Sequence, residues 1–287
     1  MEKYIKNFII ELGTKSKSEH TLIAYRKDLE QLIEYLESIN IKNVINVGED
    51  TLKNYFNKLE KDGLTAKTIS RKLNSTKTFF KYLVQTRVIK ENPSLIITHP
   101  RIENVPPRVL SELEYRALRD TARSDPRTYI IIEILLQTGI RIGELCRIRI
   151  EDLNLGENSD AMLRVIEYGS SLERMVPLNK VAVDMFQSYL KIRPKALHTD
   201  NLFITKNGNP LLIRNIRSSI DATFARADIK NAKVNDLRNT FIAHHLSRGT
   251  NIFLLSKIIG HKRIATTEKY IGKININIEK LTPLPSL

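Results

Sequence analysis

Val234–Tyr270 reads VNDLRNTFIAHHLSRGTNIFLLSKIIGHKRIATTEKY, and two helices can be read from it. The apolar residues from Thr240 to Leu246 form one. Leu254-Leu255-Ser256-Lys257-Ile258-Ile259 ends a second, with Gly260 as its left-handed cap. The chemically capable residues stand at the ends of these elements. Asn235 and Arg238 come just before the first, His261 just after the second, and Tyr270 nine residues after the histidine. Upstream, Thr138-Gly139-Ile140-Arg141-Ile142-Gly143-Glu144-Leu145 sets another arginine directly behind the apolar run Ile130 to Leu136.

An arginine placed there is at least partly buried, and a buried guanidinium needs an anionic partner. Two partners stay open: an internal carboxylate, Glu144 or Asp152, or a bound anion. Taken singly, each residue has an ordinary structural role; His261 behind a helix cap or Tyr270 in a core needs no function. Taken together, they match the needs of phosphodiester cleavage without a metal. Arginine forks bond two phosphate oxygens at once and keep their charge. Tyrosine, with an ordinary pKa of about 10, becomes a nucleophile where neighbouring cations favour its phenolate.

Around this stretch the sequence changes character. Met162–Tyr168 and Arg174–Leu178 are short strand-like runs about a Gly169-Ser170-Ser171 turn, and Asn201–Thr205 before Asn207-Gly208 is a third. The pattern predicts a mainly α domain carrying a small antiparallel β-sheet. It opens at Ser111-Glu112-Leu113-Glu114, a capping-box signature. Before it, Asn92-Pro93, His99-Pro100 and Pro106-Pro107 break any helical period. The predicted organisation is therefore an N-terminal helical domain over 1–95, a linker over 96–110, and a second domain with a C-terminal tail over 111–287.

In the N-terminal domain, Leu22, Tyr25, Leu29, Leu32, Ile33 and Leu36 mark an amphipathic helix, and Leu52, Tyr55, Phe56 and Leu59 a shorter one. From Ala66 to Thr86, Ile69, Leu73, Thr76, Phe79, Phe80 and Leu83 line one face. Lys67, Arg71, Lys72, Lys77 and Lys81 crowd the rest, a face either solvated or in contact with phosphates.

Composition narrows the class. Of 287 residues 41% are hydrophobic, enough for a folded protein of two domains. The net charge of +14 and pI of 9.7 point to a polyanionic partner. The charge is spread along the chain, which favours a long nucleic-acid footprint over a membrane-surface patch. No apolar run approaches the roughly 20 residues that span a bilayer, and the start MEKYI lacks the form of a signal peptide. The single cysteine, Cys146, excludes an intrachain disulfide framework and a cysteine-rich zinc site. The expectation is a cytoplasmic, nucleoid-associated protein without a membrane partner.

In their order, Arg141, Arg238, His261 and Tyr270 resemble the active site of the tyrosine recombinases (the phage integrase family), and of the Xer type in particular. LLQTGIRIGEL resembles that family's first box; VNDLRNTFIAHHL and LLSKIIGHKRIATTEKY resemble its second. SEHTLIAYRKDLEQLIEYL and TAKTISRKLNSTKTFFKYLVQTRVIKENP are similar to its helical, SAM-like core-DNA-binding domain, so the resemblance covers nearly the whole chain. It implies site-specific recombination: Tyr270 attacks a DNA phosphate to give a 3′-phosphotyrosyl link, Arg141 and Arg238 clamp the phosphate, and His261 bonds a phosphate oxygen. It implies neither metal nor nucleotide cofactor. The implied partners are a double-stranded DNA core site gripped by a two-domain clamp, a homodimer on each site, a homotetramer at the synapse, and an accessory protein. The implied role is resolution of chromosome dimers or transposon cointegrates, with element integration or silent DNA binding as the alternatives. The tail from Lys273 to Leu287 would dock either on a neighbouring protomer or on its own domain.

Two positions depart from the pattern. The family usually has histidine at the place of Asn235, and asparagine donates hydrogen bonds but shuttles no proton at neutral pH. The family's lysine, in a GKG turn between the strands, protonates the leaving 5′-oxygen. Here the turn reads VIEYGSSLERMVPL, with no lysine. Arg174 is nearby but a poor proton donor; Lys180 and Lys206 are the other candidates.

Overall fold

The computed structural model describes residues 1–15, 19–103, 105–156, 160–169, 171–195 and 198–273. The chain forms two compact units, Met1–Asn104 and Val105–Leu287.

The first unit is four helices: α1 (Glu2–Thr14), α2 (Glu19–Ser38), α3 (Glu49–Lys61) and α4 (Ala66–Gln85). Each turns one stripe inward, so Phe8, Leu29, Leu32, Leu36, Leu52, Leu73, Phe80 and Leu83 form a single core. Thr65 caps α4, its side chain accepting the Thr68 N–H at 3.3 Å. The basic face of α4 divides. Lys72 is buried, with its ammonium 3.3 Å from Asp28, and Arg71 and Ser75 bond the same carboxylate. Two of the five cations expected to meet solvent or phosphate are thus tied to an internal acid, while Lys67 and Lys81 stay exposed.

The second unit starts with α5 (Glu112–Ala122), where the capping box between Ser111 and Glu114 is complete. Then come α6 (Pro126–Thr138), the single turn α7 (Ile142–Leu145), and an antiparallel sheet of β1 (Leu153–Asn154), β2 (Met162–Val165) and β3 (Arg174–Pro177) in that order. Leu163 pairs with Val176, both buried against the helices. Five more helices follow: α8 (Lys180–Ile192), α9 (Ile213–Arg226), α10 (Val234–Ser247), α11 (Ile252–Ile259) and α12 (Ala265–Glu268). The protein is mainly α with a small sheet.

Two elements differ from expectation. Asn201–Thr205 is no strand; it makes only isolated bridges, Arg149 with Asn201 and Ile204 with Pro210, and the third strand is Leu153–Asn154. Leu202, Phe203 and Ile204 are all fully buried, where a half-buried strand would alternate. Their backbone groups are taken by the Ile148 carbonyl at 2.7 Å and the Tyr189 hydroxyl at 3.2 Å, which leaves no ladder to extend. Second, α10 starts at Val234, so Asn235 and Arg238 lie within it and not before it. The tail beyond Lys273 lies outside the described residues, and with it the docking expected of Ile274, Ile276, Ile278 and Leu281.

Candidate active site

Helix α11 starts under Asn251, whose side chain accepts the N–H groups of Phe253 and Leu254 at 2.9 and 3.3 Å. It stops at Gly260, where φ is 68°. The carbonyls at such an end carry the negative pole of the helix. Three arginines from three other elements meet there. Arg174, opening β3, donates from Nε to the Ile258 carbonyl at 2.7 Å. Arg238, on α10, donates from Nη2 to that of Ile259 at 2.5 Å. Arg141, capping α7, reaches from Nη2 to that of Gly260 at 3.4 Å. Glycine is needed at 260 twice over: the backbone is left-handed, and a Cβ there would press on the Arg174 guanidinium at 3.0 Å.

One carboxylate answers two of the three cations. Glu144 receives Arg174 on both oxygens, at 3.1 and 2.8 Å, as well as Arg141 Nη1 at 3.1 Å and the Arg141 backbone N–H at 2.8 Å. Burial alone would push this acid up; the Arg174 hydrogen bonds, the Arg141 N–H and the two charges outweigh it and hold the carboxyl at about 2. Arg141 also donates to Ser171 at 2.7 Å. Among the described residues Arg238 bonds only carbonyls, Ile259 and, at 2.6 Å, Gly139. Burial first, then repulsion from Arg141, pulls it down to about 9, so it is still charged at neutral pH. Its guanidinium is 4% exposed and, among the described residues, bonds no carboxylate.

His261 follows the same helix end, its N–H bonded to the Ser256 carbonyl at 2.9 Å. Nδ1 lies 2.9 Å from the hydroxyl of Thr267, so Nε2 is the nitrogen able to meet a ligand. Burial, then the charges of Arg238, Arg141 and Arg174, push its pKa down to about 4; the ring is neutral at pH 7. Tyr270 packs among Phe241, Ile242, Leu255 and Ile259. Its hydroxyl donates to Asn239 Oδ1 at 2.8 Å. Arg238 and Arg141 draw its pKa down, but burial outweighs them, and the phenol titrates above its usual range. The cation field anticipated from sequence is present and is not sufficient on its own.

The five expected residues therefore do not form one contact set. Arg141, Arg238 and His261 gather at the end of α11, while Tyr270 and Asn235 meet at Asn239, which also accepts from Asn235 Nδ2 at 3.1 Å. Neither candidate lysine joins them. Lys206 lines a separate cleft with Arg127 and Asn215, and Lys180 is exposed in the first turn of α8. At the hairpin turn Tyr168 covers Gly143 and carries the Arg147 guanidinium 3.8 Å above its ring. Glu144 was legible only as one partner option for Arg141, and Arg174 only as a poor proton donor. Nothing in the sequence marks Ser171 or Asn239.

Residues 108–274 match the phage integrase family and residues 5–87 its N-terminal SAM-like domain. The chain belongs to this family: it is a tyrosine-type, site-specific DNA recombinase. It is similar to tyrosine recombinase XerC of Staphylococcus carnosus (strain TM300), 30% identical over 98% of this chain and 96% of that protein. Tyrosine recombinase XerD of Staphylococcus saprophyticus subsp. saprophyticus is 28% identical over the same shares. The fold is also that of lambda integrase (75-356), solved as a dimer bound to a COC' core site, with a TM-score of 0.75 over 99% of both chains at 14% identity. No helix among the described residues is long and apolar enough to cross a membrane.

Proposed function

We propose that Tyr270 is the nucleophile, and that Arg141 and Arg238 bind the scissile phosphate in the place marked by the end of α11. The observation that carries this reading is the convergence of three guanidiniums, one of them without a carboxylate, beside a neutral histidine. His261 Nε2 donates to a non-bridging oxygen as charge builds there. The Tyr270 oxygen bonds to phosphorus, the bond to the 5′-oxygen breaks, and a 3′-phosphotyrosyl link remains. The proton lost by the phenol is matched by one gained by the 5′-oxygen, so the step balances without a co-reactant. Asn235 shares the Asn239 oxygen with the Tyr270 hydroxyl and takes no proton itself.

The chain acts on double-stranded DNA at a core site, as a dimer on each site and a tetramer at the synapse, with an accessory protein setting the outcome. The core-site dimer of lambda integrase supports the DNA partner and the dimer. The SAM-like domain within 1–95 and the catalytic domain of 111–287, joined by 96–110, share the DNA contacts. Resolution of chromosome dimers or transposon cointegrates, in the cytoplasm on the nucleoid, is the role that fits. A specific observation favours a second reading, a silent DNA-binding relative: the Tyr270 hydroxyl is buried on Asn239, and no lysine bonds the site among the described residues.

Covalent trapping on a nicked candidate site, without metal or ATP, separates the two. A slow-migrating protein–DNA band on a denaturing gel, absent in Tyr270→Phe, is the expected result. Tight binding of the same DNA with no band would select the silent reading.

A further inference from the structure

The Tyr270 hydroxyl is bonded to Asn239, and to none of the three arginines. Asn239 is 4% exposed, and its amide is fixed in orientation. Nδ2 donates to the Arg108 carbonyl at 2.9 Å and to Asp236 Oδ1 at 3.2 Å. Turned over, the amide would set its oxygen against those two acceptors and its NH2 against the donating Asn235. Asn239 Oδ1 is therefore committed to facing Tyr270 as an acceptor.

That commitment has a chemical consequence. A neutral amide carbonyl takes no proton at neutral pH, so it can only receive the phenol's hydrogen bond. Its lone pairs stabilise the protonated tyrosine and oppose the phenolate. The frame that fixes it reaches from α10 to the segment entering the second unit: Arg108 supplies one carbonyl, and the Leu110 N–H bonds Thr240 at 2.9 Å.

We propose that Asn239 is a positioning residue that holds Tyr270 as a protonated, inward-bonded phenol, and that breaking this bond is part of activating the nucleophile. The inference rests on the reading of Tyr270 as nucleophile. The rate of covalent capture is then restrained by Asn239, and a substitution that keeps the branched shape but removes the acceptor relieves the restraint.

The test compares wild type with Asn239→Leu, using tyrosine labelled with 13C at the ring carbon bearing the hydroxyl. The Tyr270 resonance is identified by its loss in Tyr270→Phe. In Asn239→Leu the Tyr270 titration midpoint should move down, and capture on the nicked site at pH 7 should rise about two- to tenfold, the worth of one hydrogen bond. A midpoint that stays in place, or capture that does not rise, overturns the proposal. If wild type captures no DNA at all, the nucleophile assignment fails, and the titration still reads the Asn239 bond by itself. Should Asn239→Leu not fold, the wild-type hydroxyl proton decides: slow exchange with water at Tyr270 supports the bond, and fast exchange overturns it.

Discussion

Each unit holds a buried carboxylate met by two cations, Asp28 in the first and Glu144 in the second, and the two clusters are opposite in kind. In the first, Asp28 is met by Lys72, Arg71 and Ser75. Lys72 is 5% exposed and spent on Asp28, whereas Arg71, at 49%, keeps its surplus charge in water. In the second, Glu144 is met by Arg174 and Arg141, and a third guanidinium, Arg238, is buried beside them with carbonyls alone. A cluster whose buried charges are matched is complete without a ligand. A cluster that holds excess positive charge away from solvent favours an added anion. That difference separates a structural ion cluster from a candidate phosphate site more reliably than a count of basic residues.

Asp28→Ala strands Lys72 in the first core and should lower stability by about 3–5 kcal/mol, measured by denaturant unfolding followed by circular dichroism. A loss well under that would mean that the cluster was not holding the unit together. Arg238→Ala should do the reverse: about a hundred- to a thousandfold less covalent capture, with a smaller stability change than Asp28→Ala. If unfolding shows instead that the arginine stabilises its unit as strongly as Asp28 does, the distinction between the clusters fails.

Acid should sharpen it further. His261 titrates near 6.5 when unfolded and about 4 when folded, so the unfolded chain binds more protons between those values. Its contribution is fully present above about pH 6.5 and is lost as pH falls toward 4. Glu144, at about 2 when folded against 4.5 when unfolded, adds a second loss below pH 4.5. Burial also lowers His244 and His245, so His261→Ala should flatten the upper part of this slope without removing it. An unchanged slope of melting temperature between pH 6.5 and 4 in that variant would show that His261 is not buried among the arginines. The smallest effect belongs to the solvated part of the basic face. Lys67→Ala should reduce the salt slope of DNA binding by about one unit and leave capture at saturating DNA unchanged.

Periodicity placed the helices of the first unit because each has one wet and one dry face; Leu29, Leu32 and Leu36 are all buried as their spacing requires. It failed at Asn201–Thr205, because a short apolar run before a turn reads as a strand, while here it is a buried loop whose N–H groups are taken by the Ile148 carbonyl and the Tyr189 hydroxyl. It also set the start of α10 too late, since α10 is buried on several sides and Asn235–Asn239 carries no apolar stripe. The same residues were legible as chemistry because arginine, histidine and tyrosine are conspicuous in apolar surroundings. Glu144 and Asn239 were not, because an acid and an amide are ordinary until their partners are known.

From the sequence alone followed the two-part helical plan, the demand for a polyanion and the family, and it offered the five side chains proposed for the candidate site. These rest on residue type and spacing along the chain, which need no neighbour distant in sequence. Tertiary structure decided which cations meet a carboxylate, that Lys72 belongs to a core while Arg238 is buried on carbonyls, and that the Tyr270 hydroxyl is bonded to Asn239. Charge balance and hydrogen-bond direction are properties of groups brought together from far apart in the chain, such as Arg141 and Gly260 or Arg108 and Asn239.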